Sequence, residues 1–381
     1  MIYFDNSATT QVLTEAAETA VAAMTRDFYN PAGAYSASVA VERQINSARK
    51  DFADSLLCAP GEIVFTSGGT ESNNMAIFGT LKARRGKKRI LTTAVEHPSV
   101  YEVFQAFKND PETEIKILPV DNIGHVRLDA LDDALSADTA LVSVMHVNNE
   151  LGTITDLEAV AALLRQRAPG AAFHSDGVQA YLKLPLQKLP VDLYSVSGHK
   201  FHAPKGVGFL KVRSGLKFFG GQIGGGQENN LRSGTTNVPA ILAMQTAANI
   251  YRKNLEFWHR NMLLCKKRLF LNLNELEGVF LNGPDVDNGA PHILNLSFDG
   301  VRAEVLLHAL EQKDVCVATG SACSSHKRGK NRVLSAIGVL GTRQEGALRF
   351  SFCPFNTLKE VDFVSQAIIE LVTQLRKYRR R

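Results

Sequence analysis

The sequence predicts an α/β protein whose larger part is a mostly parallel β-sheet covered by helices. Seven short apolar runs have the character of strands, at residues 63–66, 89–94, 115–120, 140–147, 171–175, 191–196 and 207–212. Helical stretches such as residues 156–167 separate several of these runs, and this alternation is typical of parallel sheets with helical crossovers. The chain of 381 residues is too long for one ordinary core, so we expect about two domains.

The chain before the first of these runs is predicted to be helical after a polar opening. Residues 5–10 are polar and turn-rich, and residues 30–33 are predicted to form a loop. Residues 15–24 and 39–57 have the apolar spacing of amphipathic helices.

A glycine-rich turn, Ser67-Gly68-Gly69-Thr70, joins the strand at 63–66 to an apolar helix. A turn in this position presents free backbone N–H groups at a helix N-terminus, a geometry that holds an anion, above all a phosphate. A plain tight turn is the alternative, because the sequence lacks the lysine that the P-loop pattern requires after its second glycine.

The C-terminal part of the chain is predicted to form a second domain. Residues 238–276 read as a long helical region that would suit a link between two domains. Strands are then expected at 292–298, 315–318 and 347–352, and a helix at 303–311. Thr357 and Glu360 fit a capping box that opens a final helix. The apolar face of that helix is expected to consist of Val361, Val364, Ile368, Val372 and Leu375.

Polar groups follow four of the predicted strands. They are Glu96-His97-Pro98, Asn148-Asn149-Glu150, Asp176-Gly177-Val178-Gln179 and His199-Lys200. In open α/β sheets ligands bind outside the carboxyl ends of the strands. One such coincidence would mean little, but four from separate strands indicate a shared site.

Lys200 is the candidate on which this site depends. It ends the run Ser197-Gly198-His199-Lys200, directly after a buried strand. A desolvated lysine loses proton affinity and can attack a carbonyl carbon to form a Schiff base. The alternative is a turn whose lysine points to water, since lysines in loops are common.

Composition excludes several classes of protein. The five cysteines are scattered and lack CxxC pairing, which argues against a disulfide framework and a zinc site, so no metal is expected. No apolar run is long enough to span a bilayer, and the N-terminus has no secretory pattern, so we expect a cytoplasmic protein without a membrane partner. The net charge of +5 is mild and no RNA-binding motif accompanies it, so no direct nucleic-acid binding is expected.

The chain resembles the cysteine desulfurases of the iron–sulphur-assembly and nitrogen-fixation group, which are pyridoxal 5'-phosphate (PLP) enzymes of the class V aminotransferase family. The resemblance covers the whole length. Its most specific segments are Gly69-Thr70-Glu71-Ser72-Asn73-Asn74, Met145-His146-Val147-Asn148-Asn149-Glu150, Ser197-Gly198-His199-Lys200, Arg232-Ser233-Gly234-Thr235 and Gly320-Ser321-Ala322-Cys323-Ser324-Ser325. It implies the fold type I of PLP-dependent transferases. In that fold a large domain (15–255) carries a seven-stranded sheet, and a smaller α+β domain (1–14 and 256–381) carries the catalytic cysteine loop.

The resemblance also implies a role for each candidate residue. Lys200 would bind PLP covalently and later move the Cα proton, and Asp176 would pair with the pyridine nitrogen. His97 would stack on the ring and could also move protons. Gln179 and Asn149 would contact the ring hydroxyl, and the phosphate would be held by Gly69, Thr70, Ser197 and His199. Thr235 would contact the phosphate bound in the partner subunit. Asn149 and Arg349 would bind the substrate. The Thr235 contact implies a homodimer with shared sites.

Cys323 is the residue that separates a desulfurase from other enzymes of this fold. The resemblance implies that its thiolate attacks the sulfur of PLP-bound L-cysteine, that alanine leaves, and that Cys323 holds a persulfide. The small, polar residues around Cys323 favour a reactive thiol over an inert buried one. The sulfur would then pass to a protein acceptor, such as a cluster scaffold or a tRNA-thiolation enzyme.

Several alternatives stay open. A selenocysteine lyase or a class V aminotransferase would have the same fold, and a catalytically silent docking scaffold is the alternative from another class. The basic segment 326–332, with Lys327, Arg328, Lys330 and Arg332, could attract an acidic acceptor or could be a solvated loop. Cys353 could take a second persulfide or could be a small core residue.

Overall fold

The computed structural model describes residues 1–320 and 331–377. The first strand, β1 (Ile2–Tyr3), lies outside the main sheet. The main sheet has seven strands, which are β2 (Ile63–Thr66), β3 (Lys88–Thr93), β4 (Thr113–Leu118), β5 (Thr139–Ser143), β6 (Ala172–Asp176), β7 (Leu193–Ser197) and β8 (Gly208–Val212). All seven coincide with the runs predicted from the sequence to within a few residues.

The strands of this sheet lie in the order β2-β8-β7-β6-β5-β3-β4. Only β8 runs antiparallel to its neighbours, and the other adjacent pairs are parallel. The predicted α/β class with a mostly parallel seven-stranded sheet is therefore confirmed. In the register of β6 and β7, Asp176 pairs with Ser195, so the carboxyl ends of these two strands lie side by side.

Helices cover the sheet because their apolar residues recur at helical spacing. These helices are α1 (Thr14–Thr25), α2 (Ser36–Ser55), α3 (Gly69–Lys82), α4 (Pro98–Ala106), α5 (Leu128–Ala134), α6 (Leu157–Arg167) and α7 (Val238–Asn274). The largest apolar core of the described residues lies between the sheet and several of these helices, and Phe52, Tyr194 and Phe209 are buried in it. Aromatic contacts such as that between Phe52 and Phe209, with ring centroids 5.0 Å apart, help to fix this packing.

The second apolar core forms around the C-terminal strands. β12 (Ala347–Ser351), β10 (Ile293–Phe298) and β9 (Val279–Leu281) make an antiparallel sheet in that order, and β11 (Val315–Cys316) pairs with β1. The helices of this part are α8 (Ala303–Glu311), α9 (Arg332–Ala336), α10 (Gly341–Glu345) and α11 (Leu358–Lys377). The long helix α7 contributes Trp258 to the first core and Leu269 to the second.

The predicted start of the last helix is confirmed by its hydrogen bonds. The backbone N–H of Thr357 donates to the Glu360 carboxylate at 2.7 Å, and the N–H of Glu360 donates to the Thr357 hydroxyl at 3.2 Å. This reciprocal pair is a capping box. The predicted apolar face of α11 packs into the second core, with Leu375 at its partly exposed end.

Candidate active site

A cavity of about 200 Å³ lies at the carboxyl ends of β6 and β7, between these strands, the starts of α3 and α4, and β12. Ten of the residues predicted from the sequence line it: Gly69, Thr70, His97, Asn149, Asp176, Gln179, Ser197, His199, Lys200 and Arg349. Strands of one direction end at the same edge of a sheet, so their following loops meet there. Residues that follow all four of these predicted strands therefore line one cavity.

Lys200 reaches this cavity from the short helical turn that follows β7. Its Nζ donates to the carbonyl oxygens of Ser7 and Ala8, at 2.6 and 2.8 Å. The polar opening of the chain thus forms one wall of the cavity and orients the amine. Lys200 is half-buried, so it is not the solvent-facing turn lysine of the alternative interpretation.

Asp176, the last residue of β6, presents a buried carboxylate to the same cavity. Its Oδ1 accepts from the backbone N–H of Val178 at 2.9 Å, and its Oδ2 accepts from the side-chain amide of Asn73 at 2.7 Å. These two donors fix the carboxylate in place. A carboxylate held in this way can pair with a positively charged group.

His97 is the N-cap residue of α4, and its Nδ1 accepts from the backbone N–H of Ser99 at 3.1 Å. Burial lowers the pKa of His97, and the positive charges of Lys200, Arg332 and Arg349 lower it further, whereas Asp176 raises it. The net shift favours the neutral imidazole.

The start of α3 forms a cradle with the end of β7. Gly68 has a φ of 145°, which a residue with a side chain rarely adopts. A Cβ on Gly69 would lie 2.6 Å from Cγ2 of Val178, so only glycine leaves this space open. Ser197 and His199 border the cradle, and burial lowers the pKa of His199 to about 3. A helix N-terminus with these neighbours can hold a phosphate group.

Arg349, on β12, brings a fully buried guanidinium to the cavity. Its Nη2 donates to Asp5 at 2.7 Å and its Nη1 donates to the carbonyl oxygen of Asn149 at 3.0 Å. Among the described residues its Nε has no acceptor. A guanidinium with donors to spare in a closed site can bind a carboxylate.

Gln179 links the cavity to His292, the residue before β10. Its side-chain amide donates to the carbonyl oxygen of Ser7 at 2.9 Å, and its Oε1 lies 3.2 Å from Nε2 of His292. Both side chains are buried, and Asn149 is buried nearby on the cavity wall.

The two remaining predicted site residues are Thr235 and Cys323. Thr235 lines a separate pocket of about 220 Å³ together with Ser67 and Arg232, and not the cavity of Lys200. Cys323 lies outside the described residues, as do Lys327, Arg328 and Lys330. The described residues next to that segment are close to the cavity: Asn331 donates to the Glu150 carboxylate at 2.7 Å, and Glu150 follows Asn149 in the chain.

The structure separates Arg332 from the basic segment 326–332, for which an acceptor-attracting loop and a solvated loop were the two alternatives. Arg332 is the first residue of α9 and is half-buried. Its guanidinium donates to the carbonyl oxygens of Ala94 and Glu96 and lies 3.9 Å from the ring centroid of Tyr101. These contacts make it a structural cation under the start of α4.

Four residues with no role predicted from the sequence also line the cavity: Ser7, Ala8, Asn73 and Ser99. Asn73 belongs to the segment 69–74, which resembles the family, and Ser7 belongs to the polar opening of the chain. Both regions could be singled out from the sequence, but only the fold places Ser7 against Lys200 and Asn73 against Asp176. Cys353, the other candidate thiol, is buried, and burial raises its pKa.

Comparison with known proteins identifies the family. The sequence model of the family described as Aminotransferase class-V matches residues 2–364. The chain belongs to the class V aminotransferase family. Within the matched residues, Ser197, His199 and Lys200 line the cavity.

Individual relatives support a narrower comparison. The "Cysteine desulfurase IscS" of Methanosarcina thermophila is 39% identical over 378 residues, which cover 98% of this chain and 93% of that protein. A solved structure named "NIFS-LIKE PROTEIN" has a TM-score of 0.91 at 34% identity and covers 98% of this chain and 99% of its own. A structure titled "SspA in complex with cysteine" has a TM-score of 0.82 at 28% identity, with 94% and 100% covered.

Proposed function

We propose that this protein is a PLP-dependent cysteine desulfurase, which converts L-cysteine to L-alanine and carries the released sulfur as a persulfide on Cys323. The observation that carries the proposal is the cavity in which Lys200, Asp176 and Arg349 meet, in a chain similar over nearly its full length to proteins named cysteine desulfurase. A lysine, a carboxylate and a guanidinium around one cavity suit an amino-acid substrate bound to a carbonyl cofactor.

The residues present fit PLP. The cradle at Gly68 and Gly69 suits its phosphate, Asp176 suits the pyridine nitrogen, and Lys200 suits a covalent bond to its aldehyde carbon. Gln179 and Asn149 are the candidates for its ring hydroxyl. When bound, PLP would supply an electron sink for the electron pair released at Cα of the substrate.

Each charged side chain has a separate task in this proposal. Arg349 binds the substrate carboxylate through donors that the protein does not use, and Asp5 and Asn149 hold the guanidinium in position. Lys200 moves the Cα proton, since the carbonyl oxygens of Ser7 and Ala8 hold its Nζ at the cavity.

The sulfur transfer balances without a further reactant. The Cys323 thiolate attacks the sulfur of cysteine, an S–S bond forms, and the C–S bond of the substrate breaks. The electron pair of that bond stays with the substrate carbon, which takes up a proton to complete alanine. The enzyme-bound sulfur is then at the oxidation level of a persulfide and is ready for an acceptor thiol.

We also propose a homodimer, with the larger domain at 15–255 and the smaller at 1–14 and 256–381. Thr235 lines a pocket that is separate from the cavity of Lys200, which supports a contribution of Thr235 to the partner subunit's site. The two apolar cores and the change of core along α7 support the domain division. Free thiols at Cys58, Cys265, Cys316 and Cys353 support a reducing, cytoplasmic location. Within the described residues, no helix is long and apolar enough to cross a membrane.

The test uses the purified protein and L-cysteine. It should be yellow, borohydride should fix the cofactor to the peptide that contains Lys200, and alanine should appear with a persulfide on Cys323. Labelling of another lysine would reject the assignment. Selenocysteine as the only substrate that yields alanine would favour a lyase, keto-acid formation would favour an aminotransferase, and a colourless inactive protein would favour a scaffold.

The sulfur acceptor is proposed to be a protein with an acidic surface. Lys327, Arg328 and Lys330 follow Cys323 closely in sequence, and cations at the point of transfer raise the encounter rate with an acidic partner. Transfer to an acidic acceptor should then slow as salt increases, while sulfide release to a small uncharged thiol should not. Serine at these three positions should remove the difference, with Arg332 left intact because of its buried contacts.

A further inference from the structure

A line of hydrogen bonds joins Asp176 to His97 through two side chains that line the cavity. The side-chain nitrogen Nδ2 of Asn73 donates to Oδ2 of Asp176 at 2.7 Å and to Oγ of Ser99 at 2.8 Å. The same Oγ lies 2.8 Å from Nδ1 of His97. Asn73 is fully buried, and Ser99 and His97 are half-buried.

The chemistry of these groups sets the direction of each hydrogen bond. An ionised carboxylate only accepts, so the group of Asn73 that faces Asp176 is its NH₂, and both of its hydrogens are then used. Oγ of Ser99 accepts one of them. The Ser99 hydroxyl is therefore free to donate to Nδ1 of His97.

The backbone adds a second donor to the same nitrogen. His97 is the N-cap of α4, and Pro98 at the next position has no N–H. The first available N–H of the helix is that of Ser99, which donates to Nδ1 of His97 at 3.1 Å. Two donors converge on Nδ1, which leaves no room for a proton there.

We propose that Asn73 and Ser99 are positioning residues that hold His97 as the neutral tautomer with its proton on Nε2. In the proposed desulfurase, on which this role rests, His97 then faces the cavity as a hydrogen-bond donor and a flat stacking surface, and Lys200 moves the protons. A neutral imidazole is a very weak acid, so Nε2–H is suited to donate a hydrogen bond and not to give up its proton.

The charges around His97 act on this state in both directions. Asp176 at the end of β6 favours the imidazolium, whereas Lys200 after β7, Arg332 on α9 and Arg349 on β12 disfavour it. The positive end of α4 adds to that opposition. An imidazolium would also direct an N–H from Nδ1 against the N–H of Ser99. The geometry at Nδ1 therefore agrees with the charges that oppose protonation.

The experiment observes His97 directly by ¹⁵N NMR of the purified protein labelled only at histidine, with the resonances assigned by their loss in His97→Gln. From about pH 6 to about pH 8, Nδ1 should resonate as an unprotonated nitrogen and Nε2 as a protonated one. A proton on Nδ1, or an imidazolium in this range, would overturn the proposal. This wild-type measurement decides even where a variant of Ser99 or Asn73 fails to fold.

Ser99→Ala tests the positioning role. Loss of one donor to the neutral form should raise the Nδ1-protonated fraction of His97 about five- to tenfold, Asn73→Ala should shift it in the same direction, and Ser99→Thr should restore the wild-type signal. An unchanged His97 signal in Ser99→Ala would reject the role.

Ser143→Ala is the matched control, since its hydroxyl makes a bond of the same length, 2.8 Å, to Nδ1 of another buried histidine, His174. It should move the His174 resonance and leave His97 unchanged. A His97 shift of equal size in this control would show a global effect and reject the specific role. None of these readouts needs turnover, so absence of alanine formation would refute the proposed function and leave the tautomer result standing.

Discussion

The two edges of the seven-stranded sheet each border a cavity, about 200 Å³ at the carboxyl edge and about 640 Å³ at the edge where β6 and β7 begin. Both contain a shielded lysine. Lys200 meets a carboxylate and a guanidinium from distant parts of the chain, whereas Lys211 donates to the carbonyl oxygen of Val191 at 2.8 Å beside the thiol of Cys58. The larger cavity therefore lies where β6 and β7 begin, whereas the groups suited to catalysis lie at the carboxyl ends of these strands.

The direction of the strands explains the difference. At the carboxyl edge, loops and helix N-termini follow the parallel strands and bring polar groups and free N–H donors together. The larger cavity instead borders the ends of α2 and α6, and its Cys58 has a pKa raised to about 11 by burial, which keeps the thiol protonated. The following variants test whether function belongs only to the carboxyl edge.

Substitutions of the two lysines should differ most in their effect on activity. Lys200→Ala should abolish covalent cofactor attachment and lower the rate of alanine formation by about 10²–10⁴-fold, as expected for loss of a proton-transfer group. Lys211→Met should keep the yellow colour and the activity, at some loss of stability. Absorption spectra measure cofactor attachment and alanine assays measure activity. An active Lys200→Ala variant would show that the active site does not lie at the carboxyl edge.

Substitutions of the two cysteines should give the second largest difference in activity. Cys323→Ala should keep the bound cofactor but release almost no sulfide from cysteine, because the acceptor of the sulfur is missing. Cys58→Ala, at the other edge, should desulfurate cysteine normally. Sulfide assays and mass spectrometry of the persulfide decide, and normal turnover by Cys323→Ala would exclude the proposed sulfur transfer.

The arginines at the two edges should differ in substrate binding. Arg349→Ala should weaken cysteine binding by about 30- to 1,000-fold, since a lost charged hydrogen-bond pair at a buried site costs roughly 2–4 kcal/mol. Arg213 is an exposed partner of Asp192 at the edge where β6 and β7 begin. The Arg213→Ala variant should bind cysteine normally. Cysteine titrations monitored by absorbance measure this, with Arg349→Lys to separate charge from geometry. Equal affinities for wild type and Arg349→Ala would contradict the role.

Glu96, a buried carboxyl group next to His97 in the chain, should change the pH dependence of stability and not the location of the active site. Its Oε1 accepts from Thr93 and from the N–H of Met145, and burial raises its pKa from about 4.5 to about 8. Because the folded state keeps the proton that the unfolded state releases, the free energy of unfolding falls by about 1.4 kcal/mol for each pH unit between these values.

Glu96→Gln mimics the protonated carboxyl and should remove this slope. The variant should therefore gain stability relative to the wild type as the pH rises from about 5 to about 8, measured by urea denaturation. A stability difference that is the same at both pH values would show that Glu96 does not stay protonated in the fold.

The sequence by itself determined the sheet, because strand runs such as 63–66 carry their apolar pattern and their turns within a few residues. It also located the capping box of α11, since Thr357 and Glu360 are three positions apart. Nine of the ten cavity residues were predictable because they stand at a strand end or a helix start, or in a family segment, whereas Arg349, inside β12, was predicted from the resemblance alone.

Only the tertiary structure decided the contacts between distant segments. Arg332 looks like one more cation of a basic run, but the fold places it against the carbonyl oxygens of Ala94 and Glu96. Asn73 and Ser99 are ordinary helix residues in sequence, and their link from Asp176 to His97 depends on the packing of α3 against α4. Hydrogen bonds between segments depend on directions in space, and local sequence patterns do not encode those directions.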